Sequence, residues 1–173
     1  LKQQAIAYTE KLNPVRYYKR THDLGFMIDC SYGNALRFAP NDTIKDVIIE
    51  TADNLAARFN EKIGCIRSWD FGKWNFPVII DNMMNLELLF EATRLSGDST
   101  YWKVAVSHAN KTLENQFRKD GSCYHVVDYD PNNGAVLHRQ TAQGYADNSA
   151  WARGQAWAVY GYTVCYRYTH DRK

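Results

Sequence analysis

The sequence predicts an all-α protein built from stacked helical hairpins, with one short β-hairpin set among them. Three observations carry this expectation. Apolar residues recur at helical spacing through several long runs, two of those runs repeat the same cap-and-stripe arrangement, and one stretch alternates between turn signals as a hairpin does. In chain order, residues 24–38 read as a helix. In 41–60, Ile44, Val47, Ile48, Leu55 and Phe59 form a helical stripe behind the cap signal Asn41-Asp42-Thr43. Residues 67–80, RSWDFGKWNFPVII, carry Gly72 and Pro77 and predict an ordered loop, whose Trp69, Trp74 and Phe76 must bury something or bind something. Helix resumes over 81–97, with Met84, Leu88 and Leu95 on one stripe and Gly97 as its stop. Residues 97–117 repeat the arrangement of 41–60, an acidic cap followed by periodic apolar residues, and 169–171 resemble a third such start. Asp120-Gly121 and Pro131-Asn132-Asn133-Gly134 bracket the predicted hairpin, and 149–168 read as a final helix.

Composition narrows the function. With 173 residues, 45% of them hydrophobic and 14% aromatic, the chain can form a packed core, and residues 1–173 are expected to make a single domain. Twenty-one basic and 19 acidic residues are interspersed to a net charge of +2, so no basic field is concentrated enough for nucleic acid. No apolar run is long enough to cross a bilayer, and the opening LKQQAIAYTEKLNP has neither an apolar h-region nor a cleavage site. A cytoplasmic or periplasmic location is expected in preference to a membrane one. Cys30, Cys65, Cys123 and Cys165 are scattered without a CxxC pair, which predicts small buried side chains rather than a metal site.

The candidate chemistry lies where irregular segments meet helix starts. Asp23 and Asp81 occupy such junctions, and each can serve as an N-cap or expose a working carboxylate. Val78, Ile79 and Ile80 ahead of Asp81 would desolvate it and raise its pKa toward that of a proton donor, while the helix dipole pulls the other way. In QGYADNSAWARGQAW, Arg153 and Trp157 are four apart on a helix and share a face. A cation beside an aromatic plane suits an acidic sugar, through stacking and a guanidinium–carboxylate bond; an ordinary aromatic core with Arg153 reaching outward fits the same residues. His125, on the hairpin, could reach a substrate hydroxyl or be a satisfied structural histidine. His22-Asp23 is similar to the start of a metal-dependent phosphohydrolase motif, but the further ligands are missing and no metal is expected.

Five motifs then occur in order: THDLGFMIDCSYGNA, RSWDF, FPVIIDNMMNLELLF, RKDGSCYHVVDYDP and QGYADNSAWARGQAWAVYG. Together they resemble the unsaturated glucuronyl hydrolases, glycoside hydrolases that finish degradation begun by polysaccharide lyases. The resemblance implies an (α/α)6 toroid, here an incomplete ring because family members are longer, and an open helical array exposes apolar faces at its ends. It implies Asp81 as general acid and base and Asp23 as a second essential carboxylate, with His125, Gln143, Trp151, Arg153 and Trp157 holding the sugar. The implied reaction hydrates a C4=C5 double bond in the non-reducing-end uronate of an unsaturated oligosaccharide, with no cofactor. Two alternatives stand beside it. Unsaturated rhamnogalacturonyl hydrolases share the toroid but are expected to carry RGNGW where this chain has RGQAW, and a carbohydrate-binding helical segment would use the aromatics without turnover. The presence of both Asp23 and Asp81 speaks against mere binding, which has no chemical need for a desolvated acid.

Overall fold

The computed structural model describes residues 1–172. Seven α-helices run as α1 (Lys2–Glu10), α2 (Leu24–Ile28), α3 (Asn34–Phe38), α4 (Asp42–Ala56), α5 (Asn82–Ser96), α6 (Ser99–Gln116) and α7 (Ala152–Thr169). Strands β1 (Phe59–Asn60) and β2 (Cys65–Ile66) form a small ribbon, and β3 (Pro77–Ile79), β4 (Val126–Tyr129) and β5 (Val136–Gln140) form an antiparallel sheet in that order.

Helix α5 is the axis of the packing and lies against α2, α4, α6 and α7. That position explains why both sides of it are buried, with Met83, Leu86, Leu89 and Phe90 joined by Asn82 and Asn85. Gly97 ends it in the left-handed conformation at φ 77°, as its sequence predicts. The two cap-and-stripe runs fold alike. Asn41 Oδ1 accepts from Ile44 N at 2.9 Å at the start of α4, and Asp98 Oδ1 accepts from Thr100 N at 2.8 Å at the start of α6. Behind these caps, Val47, Ile48 and Leu55 of α4 and Val104, Ala105 and Ala109 of α6 enter one core. Asn41→Ala should lower stability by about 1 kcal/mol, read as a midpoint shift in denaturant, with no change at the site described below.

Three expectations are corrected. The helix expected over 41–60 ends at Ala56, and Phe59, counted in its stripe, lies in β1. The helix expected over 24–38 forms, with a wide π-turn at Asp29–Gly33 between α2 and α3. Ser31 Oγ donates to the carbonyls of Met27 and Ile28 at 2.6 and 3.3 Å, competing with the helical ladder. A Cβ at Gly33 would stand 2.5 Å from Asp29 Oδ1, so any larger residue there must displace that carboxyl. Next, the expected two-stranded hairpin has a third partner, β3, drawn from the segment read as loop. Three wholly buried residues are too few to show alternation, so Val78, opposite Val127, left no strand signal. The third helix start expected near His170 is instead the end of α7, where His170 takes φ 56°. Helix α1 went unread because it buries no residue and has no apolar stripe.

A second, smaller core of Ile63, Cys65, Phe76, Val78, Val127 and Tyr129 lies under the sheet. Buried Asp128 accepts from the backbone N–H groups of Asn75 and Phe76 at 3.2 and 2.8 Å, which fixes the exit of the aromatic loop. All four cysteines are free; three are buried as expected and Cys30 is exposed. Among the described residues, no helix is long and apolar enough to cross a membrane.

Candidate active site

The sheet and three helix starts converge on one side of α5. Strand β3 runs into α5 through Ile80 and Asp81, and Ile80 N donates to the carbonyl of His125, the residue before β4, at 3.0 Å. Helix α2 brings Asp23 alongside. Its approach to α5 is close because Gly25 packs on Asn85, whose Oδ1 accepts from Phe26 N at 2.8 Å. The aromatic loop is tied to the same corner: His22 N donates to the Ser68 carbonyl at 3.0 Å, Ser68 Oγ accepts from Ile79 N at 2.9 Å, and Thr21 bridges to Trp69.

Neither junction aspartate caps its helix. Asp23 and Asp81 stand at the N-cap positions of α2 and α5, yet neither side chain accepts a first-turn amide, in contrast to Asn41 and Asp98. The Asp81 side chain is only 14% exposed. Burial raises its pKa to about 6, opposed by its own backbone N–H, assisted by the negative charge of Asp23 and opposed again by Arg153. The direction is the one expected of a desolvated proton donor. Asp81 Oδ2 is buried and has no hydrogen-bond partner among the described residues.

His125 faces it, with Nε2 at 3.7 Å from Asp81 Oδ2. The other ring nitrogen, Nδ1, accepts from Ala142 N at 3.0 Å and Gln143 N at 3.2 Å. Two backbone donors on Nδ1 leave the proton of a neutral imidazole on Nε2, aimed at Asp81. Burial, with Arg153 and His22 adding to it, lowers the His125 pKa to about 4, so the ring is neutral where Asp81 titrates. Trp151 lies against this ring at 4.5 Å between centroids, and Trp69 meets it edge-on at 6.4 Å. Arg153 sits 4.5 Å over the Trp151 ring and donates through Nη2 to Gln143 Oε1 at 2.9 Å.

Asp23, Asp81, His125, Gln143, Trp151 and Arg153 are thus brought together in one cluster. The pairing of Arg153 with Trp157 is corrected. The aromatic face under the cation is Trp151, the residue just before α7, whereas Trp157 packs edge-on against Phe26 of α2 at 5.2 Å. A four-residue spacing puts two side chains on one side of a helix but leaves a third, from outside the helix, free to fill the space between them. Sequence reasoning also gave no role to Asn82, Asn85 and His22. Both asparagines are wholly buried on a helix otherwise packed with apolar residues, and their place in IDNMMNL, a turn apart, was the available signal. Asn82 Nδ2 donates to the Ile66 carbonyl at 3.0 Å. His22 is buried with Nε2 3.3 Å from Asp23 Oδ1, and burial lowers its pKa, against the pull of Asp23. Gln155, which distinguished RGQAW from RGNGW, does not face the pocket. It spans Cys123 N and the Gly121 carbonyl, at 3.0 and 3.1 Å. Among the described residues, no three His, Cys, Asp or Glu side chains gather as a metal ion would need.

Helical hairpins packed about α5, with two carboxyl groups and aromatic rings gathered at one end, define a stretch of an α/α toroid, an architecture suited to carbohydrate chemistry. No protein-family model matches the chain. An unsaturated glucuronyl hydrolase of Formosa agariphila is 54% identical over 175 residues, covering 99% of this chain and 44% of that protein. An unsaturated chondroitin disaccharide hydrolase of Streptococcus pneumoniae is 38% identical over 152 residues, covering 87% and 38%. Among solved structures, an unsaturated glucuronyl hydrolase specific for heparin superposes with TM-score 0.95 at 50% identity, covering 99% of this chain and 47% of that one. The chain belongs to the unsaturated glucuronyl hydrolases and spans about half the length of the curated relatives it matches.

Proposed function

We propose that this protein removes the 4,5-unsaturated glucuronyl residue from the non-reducing end of oligosaccharides left by polysaccharide lyases, with Asp81 as general acid and base. The observation that carries this reading is a buried carboxyl with a pKa of about 6, one oxygen unpartnered and facing a neutral imidazole N–H. An acid with that pKa holds its proton under mildly acidic conditions and releases it readily, as a donor that must also act as base requires.

In the proposed reaction, the Asp81 proton goes to C4. The alkene electron pair becomes the new C4–H bond, and positive charge develops at C5 and the ring oxygen. Water adds at C5 and gives its proton to the Asp81 carboxylate, which restores the acid. The resulting hemiketal opens to a ketone, and C1, no longer held in a ring acetal, releases the leaving sugar. Asp23 is placed to stabilise the developing positive charge. His125 Nε2–H faces the Asp81 carboxyl, Arg153 pairs with the uronate carboxylate, and Trp151 stacks on the sugar ring. Gln143, held by Arg153, completes the sugar-holding set, and Trp157 supports it only through its packing on Phe26.

The test is the ultraviolet absorbance of the conjugated alkene, followed with unsaturated uronyl disaccharides and the full-length protein. The likeness to a heparin-specific relative makes a heparin-derived disaccharide the first choice of substrate. Absorbance should fall with the wild type and stay constant with Asp81→Asn; no loss on any such disaccharide overturns the proposal. The pH profile gives a further prediction. Because the donor must be protonated, kcat/KM should decline about tenfold per pH unit above pH 6, and a profile flat from pH 5 to 8 would remove Asp81 from the donor role.

A further inference from the structure

We infer that Arg118 is a positioning residue for this pocket, an inference that rests on the function proposed above and gives Arg118 no contact with substrate. It lies beyond the end of α6 and gathers two segments that helix packing leaves unsupported. Nη1 donates to Ser122 Oγ at 3.1 Å and to the Cys123 carbonyl at 3.0 Å, in the turn leading to His125. Nη2 donates to the carbonyls of Asp147 and Ser149, both at 3.1 Å, in the loop leading to Trp151. The guanidinium also stacks on Tyr124, 3.8 Å from the ring centroid.

The segment clipped in this way is the pocket's wall. Residues 141–150 have no helix or strand of their own, yet they supply Gln143, the two amides that set the His125 tautomer, and the approach to Trp151. One end of the loop is held at His125, and Asp147 Oδ1 ties back to Thr141 N at 2.8 Å. The opposite end is held to the body of the fold by Arg118. A planar fork can satisfy four acceptors from two segments while stacked on a ring; an ammonium cannot. Without that fork the loop's closed arrangement loses charge-assisted hydrogen bonds to Asp147 and Ser149, and Trp151 and Gln143 lose their fixed places beside His125.

Arg118→Lys in the full-length protein tests this, with kinetics on the unsaturated disaccharide, thermal melting, and hydrogen exchange over residues 141–150. We expect KM to rise about tenfold with kcat changed less than about threefold, and faster exchange at the Ala142 and Gln143 amides. Exchange needs no substrate, so it reads the clamp even if the proposed reaction fails. Unchanged exchange with unchanged KM overturns the inference. A lower melting temperature with wild-type KM and exchange does the same, because it marks Arg118 as merely structural. If Arg118→Lys does not fold, Ser122→Ala removes one acceptor only and should show the same KM-selective change at smaller size; its absence in a folded Ser122→Ala protein would overturn the inference.

Discussion

Asp81→Asn is expected to lower turnover roughly a thousandfold while leaving disaccharide binding measurable and, above pH 6, making the protein more stable. The two effects share one cause. A carboxyl whose pKa rises from 3.8 to about 6 on folding is held in surroundings that disfavour its charge. Its contribution to stability is fully present below pH 4, declines as pH rises through 6, and above that leaves the folded state burdened with a buried, unpartnered charge. Asparagine never ionises, so the variant escapes that cost of about 2–3 kcal/mol, equivalent to roughly 5–10 °C in Tm at pH 8, and the advantage should vanish near pH 4. Melting curves of both proteins at pH 4 and pH 8 give the comparison. Binding persists because the amide keeps the carboxyl's shape and still presents an oxygen to His125 Nε2–H. If the variant were less stable at pH 8, the Asp81 carboxylate would be a structural anion rather than a strained acid, and turnover above about a tenth of wild type would remove it from the proton transfers.

The second large effect belongs to a residue that carries no chemistry. Gly25→Ala should cost about 2–3 kcal/mol of stability and lower kcat/KM roughly a hundredfold in the protein that remains folded. A Cβ at this position would lie 2.5 Å from Asn85 Cα and 2.8 Å from Asn85 Cβ, contacts that no change of rotamer relieves. Helix α2 must then move off α5. That motion stretches the bond from Phe26 N to Asn85 Oδ1 and displaces Asp23 from Asp81, the two carboxyl groups whose charges sense each other. Gly97→Ala is the control. It imposes a left-handed φ of 77° on alanine but meets nothing within 4 Å, so it should cost about 1 kcal/mol and leave kcat/KM unchanged. Equal catalytic losses in the two variants would show that general destabilisation, not the approach of α2 to α5, controls the site.

Much of this was legible in order of residues alone. The caps at Asn41 and Asp98, the stripes of α4 (Phe59 apart) and α6, the stop at Gly97 and the turns about the hairpin are local: each depends on residues within a turn or two of one another, and each folded as read. The five ordered motifs were legible for the same reason, and they identified the family before any geometry was available. Tertiary structure decided what depends on distant partners. It widened the 24–38 helix at Asp29–Gly33, ended the 41–60 helix at Ala56, added β3 to the hairpin, and set Trp151 rather than Trp157 beneath Arg153. It also decided the character of two aspartates that look alike in sequence to the capping residues of other helices. The burial of Asp81 and the charges of Asp23 and Arg153 that act on it come from segments far apart in the chain. A pKa follows the dielectric and the charges around a group, and those exist only once the chain has closed around it.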